Sequence, residues 1–219
     1  QALELYNKLT EMDPEEASIY YYRGLIYQNN LNDNKKAESD FLMALKLSPD
    51  YDDSYIQLGI MYQKKKDYVK ALEYFKKAIE IDPETRNNYF PLINFYILTK
   101  DYNQAIIEIK KTIDSDPNDA DGYYKLSIIY YEKENYLKSL LELSNAIVKK
   151  KSFSDYFVLD FDGVTRIELA DMYYKRAEIS KKLNSKELMC EDYNTVLSLI
   201  KDDTQLKKEI EALISNNCN

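Results

Sequence analysis

Two carboxylates placed two residues apart, Asp160 and Asp162, follow the apolar pair Val158-Leu159 and precede Gly163. Paired carboxylates are candidates for nucleophilic and acid–base chemistry. A second oxygen-rich set, Asp114, Asp116, Asn118 and Asp121, has the opening spacing of a calcium loop. Pro117 interrupts that loop, Asp119 stands where the turn needs Gly, and Lys125 stands where the closing acid belongs. These residues therefore read as an ordinary turn whose Asp and Asn cap the next helix. Histidine is absent from the 219 residues. That removes His-based acid–base catalysis, Ser–His and Cys–His nucleophile pairs, and nearly all ordinary zinc sites. Four glycines are too few for a glycine-rich phosphate cradle. Cys190 and Cys218 are too few for a disulfide framework and are expected to be plain thiols. A bridge requires the last two helices to bring them together.

The elements that must position these groups follow from charge and period. The formal charge of −8 argues against nucleic acid, whose phosphates are neutralised by Lys and Arg. The Lys runs 64–66 and 149–151 sit at helix ends, where cations suit the dipole. No apolar run approaches the length of a membrane helix, so no membrane insertion is expected. Pro14, Pro49, Pro83 and Pro117 recur at intervals of 35, 34 and 34 residues. Between them apolar residues recur at three and four, the helical period, in two stretches per interval. Short polar breaks separate the stretches, such as Lys66-Asp67, Lys100-Asp101 and Glu134-Asn135. A fixed period of this size is the mark of a repeat architecture whose unit is helix–turn–helix.

One unit reads Tyr55, Leu58, Gly59 and Tyr62, then Ala71, Phe75 and Ala78, then Pro83. This resembles a tetratricopeptide repeat, with Tyr in place of the usual Trp. The unit before it reads Tyr20, Gly24, Tyr27, Ala37, Phe41, Ala44 and Pro49, with Arg23 where Leu is usual. Later units drift, with Ile93 and then Ser127 at the glycine place. The resemblance implies an all-α fold, a right-handed superhelical solenoid of antiparallel helix pairs continuous over 1–219. Its expected parts are a partial repeat at 1–15 and repeats at about 17–51, 52–85, 86–119 and 120–151. An insert at 152–167, a degenerate repeat at 168–203 and a capping helix at 204–216 complete it. The insert, SFSDYFVLDFDGVTRI, is dense in apolar residues that are expected to pack on the helices. The first residues look like the middle of a helix, which predicts that sequence precedes them. The compartment is then not legible from this end, with cytoplasm favoured.

In the resembled family the first helices of successive units line an inner groove. Carried onto this chain, its lining is Tyr21, Leu25, Ile56, Ile60, Phe90, Asn94, Tyr124, Ile128, Tyr174 and Glu178. An apolar stripe of this kind marks an interaction site, unless tight curvature or the insert covers it. The Lys, Arg and Asn clamp that some members use for acidic peptide tails is missing, with Asn94 its sole match. The reading is a non-catalytic protein- or peptide-binding scaffold whose partner offers apolar anchors, without cofactor or metal. Self-assembly into a homo-oligomer is the alternative. The stretch Asp160 to Gly163 resembles the first motif of haloacid-dehalogenase-type phosphatases, which would make Asp160 the nucleophile and Asp162 an acid–base. That motif needs a Rossmann-like sheet and downstream partners, whereas only helical sequence follows, so an enzyme is a remote alternative.

Overall fold

The computed structural model describes residues 1–150, 169–200 and 205–218, together with the backbone of 157–160, 163–166 and 204. Its helices are α1 (Ala2–Met12), α2 (Ala17–Asn29), α3 (Asn34–Leu47), α4 (Asp52–Lys64), α5 (Tyr68–Ile81) and α6 (Tyr89–Leu98). They continue with α7 (Tyr102–Ser115), α8 (Ala120–Glu132), α9 (Tyr136–Lys150), α10 (Leu169–Lys182), α11 (Lys186–Leu199) and α12 (Thr204–Asn217). Between α9 and α10 lies an antiparallel hairpin of β1 (Phe157–Asp160) and β2 (Gly163–Arg166), with Phe157 opposite Arg166 and Asp160 opposite Gly163. The contacts expected of Tyr156, Phe157, Leu159 and Phe161 lie outside the described residues. The chain divides into two compact units, Gln1–Phe95 and Tyr96–Asn219.

Each period folds as a helix hairpin because the same signals recur at each turn. Asn32, Lys66, Lys100, Glu134 and Asn184 all take positive φ, between 53° and 62°. The next residue starts the second helix and closes the turn. The backbone N–H of Asp67 donates to Tyr62 O at 2.9 Å, and that of Asp101 to Tyr96 O at 2.8 Å. The side chains of Asp33, Asp67, Asp101 and Asn135 then accept from the backbone N–H three residues on, at 3.2–3.3 Å. Each satisfies one of the orphan donors that open a helix.

The second helices present a small–large–small face that is wholly buried. Ala37, Phe41 and Ala44, and likewise Ala71, Phe75 and Ala78, have no exposed surface. Glycine on the facing helix permits this closeness. A Cβ at Gly59 would lie 2.4 Å from Phe75 Cε1, and one at Gly24 would lie 2.7 Å from Phe41 Cε1. Ser127 and Ser139 replace this Gly and Ala in a later unit, and there the Ser139 hydroxyl donates to the Ser127 carbonyl at 2.8 Å. The framework tyrosines also meet the polar need of their hydroxyls. Tyr20 donates to Pro14 O, Tyr55 to Pro49 O and Tyr89 to Pro83 O, at 3.1, 3.3 and 3.1 Å. The proline that ends one hairpin thereby anchors the aromatic ring of the next.

One feature departs from the sequence reading. Cys190 and Cys218 are not plain thiols. They form a disulfide, because α12 folds back along α11 and sets their Cα atoms 5.8 Å apart. Arg23, in a place where Leu is usual, is used as an ion-pair donor. It makes two bonds of 2.8 and 2.7 Å to Asp40. Arg176 holds Asp192 in the same way, at 2.9 and 2.7 Å. These planar pairs tie the two helices of a hairpin together where other units use apolar contact.

Candidate functional site

Within the second unit α8 and α10 stand on either side of α9 and leave a cleft of about 290 Å³. Its apolar walls are Ile128 and Tyr131 from α8, Leu143 from α9, and Tyr174 and Ile179 from α10. Small residues keep it open. Ser127 and Ser139 form part of its floor, and neither carries bulk to fill the space. The floor is already satisfied: the Ser127 hydroxyl donates to Tyr124 O at 2.7 Å, and that of Ser139 to Ser127 O. The cleft therefore offers apolar contact with no buried donor waiting for a ligand.

Charge sits at its rim. Glu132, Lys175 and Glu178 border the cleft, and Glu178 accepts a hydrogen bond from the Tyr193 hydroxyl. The Tyr174 ring packs at a tilt on Tyr193, with centroids 6.0 Å apart. Beyond Tyr174 a second recess of about 320 Å³ is bordered by Asp171, Val196, Leu206 and Glu209. Tyr174 is thus the wall shared by two hollows. Burial, followed by the charges of Glu178 and Glu209, pushes its phenol above the ordinary value.

Three residues of the groove read from sequence, Ile128, Tyr174 and Glu178, come together in this cleft, all half-buried. Tyr124 is buried beside it in the same core. In the first unit Leu25, Ile56 and Ile60 are half-buried, whereas Tyr21, Phe90 and Asn94 are buried. Tyr21 packs on Tyr51 and Phe41, with centroids 5.2 and 5.9 Å away, and burial raises its phenol well beyond the ordinary range. Phe90 lies under the Arg86 guanidinium at 5.2 Å. The sequence reading missed Tyr131, Glu132, Leu143 and Lys175. Ser127, at a place usually held by Gly, was the available signal that this hairpin packs differently from its neighbours.

The other candidate chemistries fall apart in space. Asp160 ends a strand of a two-stranded antiparallel hairpin, not a strand of a parallel sheet. Asp121 pairs with Lys125 at 3.4 Å and both are buried. Asn118 accepts from Lys149 at 3.1 Å, and Asp116 accepts from the Asn118 backbone. Among the described residues no group of three or more acidic or cysteine side chains is placed to hold a metal ion. Among the same residues no helix is long and apolar enough to cross a membrane.

Comparison with known proteins agrees with the repeat architecture. Three family models, each of the tetratricopeptide repeat, match residues 1–52, 53–85 and 170–203, together more than half of the chain. No curated protein matches the sequence significantly. Among solved structures, PilW, a type IV pilus biogenesis factor, is 16% identical with a TM-score of 0.71, over 94% of this chain and 87% of that one. YrrB, described as having an unusual peptide-binding site, is 16% identical with a TM-score of 0.62, over 96% and 99% of the two chains. MamA from Desulfovibrio magneticus RS-1 is 15% identical with a TM-score of 0.66, over 87% and 98%. At such identities the likeness shows the fold alone. The recurring turns, the glycine-on-phenylalanine packing and the matched models lead to one conclusion: the chain belongs to the tetratricopeptide repeat family.

Proposed function

We propose that the protein is a non-catalytic scaffold that binds a protein or peptide through the inner faces of its first helices. The observation that carries this reading is the cleft between α8 and α10. It is apolar, open, internally satisfied and walled by an aromatic ring, which suits one or two bulky side chains of a partner. Half-buried Leu25, Ile56 and Ile60 offer apolar contact on the first unit. The absence of histidine and the hairpin setting of Asp160 support a role without chemistry.

The test is a selection of displayed peptides on the full chain, followed by affinity measurement on variants. Tyr174→Ala and Ile128→Lys are expected to weaken the selected peptides at least about tenfold, as loss of a central anchor does. Lys76→Glu, on the exposed side of α5, is expected to change affinity less than about twofold. Circular dichroism checks that each variant is folded. Peptides that bind both cleft variants at parental strength would place the site elsewhere.

A further inference from the structure

We propose that the partner segment is basic as well as apolar: a bulky aliphatic or aromatic anchor flanked by Lys or Arg. This rests on the binding role proposed above and names the partner's chemistry. The two hollows on either side of Tyr174 are bordered by four carboxylates, Glu132 and Glu178 on one side and Asp171 and Glu209 on the other. Among the described residues, the one cation that lines them is Lys175. Glu132, Asp171 and Glu209 are exposed, so their charge faces solvent and an arriving ligand. Glu178 is held in place by the Tyr193 hydroxyl through one oxygen. The chain as a whole carries −8, which adds a long-range field of the same sign.

An acidic rim around an apolar hollow selects by charge. Rim carboxylates draw in cations, speed encounter and repel acidic segments, while burial of the anchor supplies most of the affinity. A partner whose anchor is flanked by Glu or Asp would set like charges together at the rim. A basic amphipathic segment meets both demands at once. Its anchor enters between Ile128, Leu143 and Tyr174, and its cations reach the carboxylates on either side of that ring.

A synthetic peptide array on the full-length chain tests this. Each peptide carries a Leu or Phe anchor flanked by Lys/Arg, by Gln, or by Glu. The Lys/Arg set is expected to bind about tenfold more tightly than the Gln set, and the Glu set more weakly than either. That advantage is expected to shrink severalfold between roughly 0.05 and 0.3 M salt. Replacing all four carboxylates (Glu132→Gln, Asp171→Asn, Glu178→Gln, Glu209→Gln) should abolish the advantage of the Lys/Arg set over the Gln set. Glu178→Gln keeps an oxygen able to accept from the Tyr193 hydroxyl, so the cleft is expected to keep its shape. Equal binding of all three sets, lost in Tyr174→Ala, would overturn the basic partner and leave the cleft standing. Binding of every set unaffected by Tyr174→Ala and Ile128→Lys would overturn the cleft itself, and no binding by any set would overturn the basic-partner proposal.

Discussion

Gly59 has no space above its Cα for even a methyl group, since the ring it would meet belongs to fully buried Phe75. A ring packed on all sides cannot step aside without moving its helix. Gly59→Ala is expected to destabilise by roughly 1–3 kcal/mol despite the entropy an alanine removes from the unfolded chain. Gly24→Ala should cost less, because its overlap with Phe41 is smaller. Urea titration measures both, and an unchanged midpoint for Gly59→Ala would remove close approach as the reason for glycine. The Arg176–Asp192 pair gives a second residue-scale expectation. Asp192 is 1% exposed, so Asp192→Ala strands a partly buried guanidinium and should cost about 3 kcal/mol or more. Arg176→Met combined with Asp192→Leu should recover most of that loss, because no buried charge is then left alone. A double variant as unstable as the single one would mean that shape, not charge, sets the cost.

At the scale of elements, α12 is the piece held by most unlike means. Its Ile210 is fully buried in the core of the second unit, and Leu206 and Leu213 pack beside it. The Cys190–Cys218 bond ties the helix to α11 across a separation of 28 residues. A loop of that length stabilises by about 3.5 kcal/mol through the entropy it removes from the unfolded chain. Reduction, or Cys190→Ser with Cys218→Ser, is therefore expected to speed amide exchange in α12 before α8 and α9 respond. The second unit should also melt earlier. If exchange in α12 were the same with and without the bond, the burial of Ile210 alone would be holding the helix.

Across the whole molecule, alkaline stability is expected to depend on the tyrosines whose phenols the fold raises. The hydrogen bond from Tyr62 to Glu38, followed by burial, raises the Tyr62 phenol to about 12. Burial, followed by the charge of neighbouring Tyr22, raises Tyr51 to about 12. Burial first pushes Tyr21, Tyr124 and Tyr193 higher still. These groups are raised above their unfolded value of about 10, so their contribution is complete below that pH and is lost as pH rises through about 12. Ultraviolet titration is expected to show these five phenols ionising only as helical circular dichroism collapses. Their smooth titration in a fully helical protein would contradict the burial and hydrogen bonding described for them.

The sequence by itself determined what repeats. Proline spacing, the Lys66-Asp67, Lys100-Asp101 and Glu134-Asn135 breaks, and the glycine and alanine places together specified helix hairpins. Each of those signals acts within one turn of helix or between two helices joined by a short turn. Tertiary structure alone decided what does not repeat. It buried Tyr21, Phe90 and Tyr124 but left Tyr174 at an open cleft, although the four share one place in their repeats, and it buried Asn94 but left Ile128 and Glu178 at that cleft, although these three share another. It also joined Cys190 to Cys218, and turned Arg23 and Arg176 toward Asp40 and Asp192. The physical reason is that a periodic pattern fixes which face a side chain occupies. How much room that face has depends on the distance to a neighbouring helix, and every side chain between the two contributes to that distance.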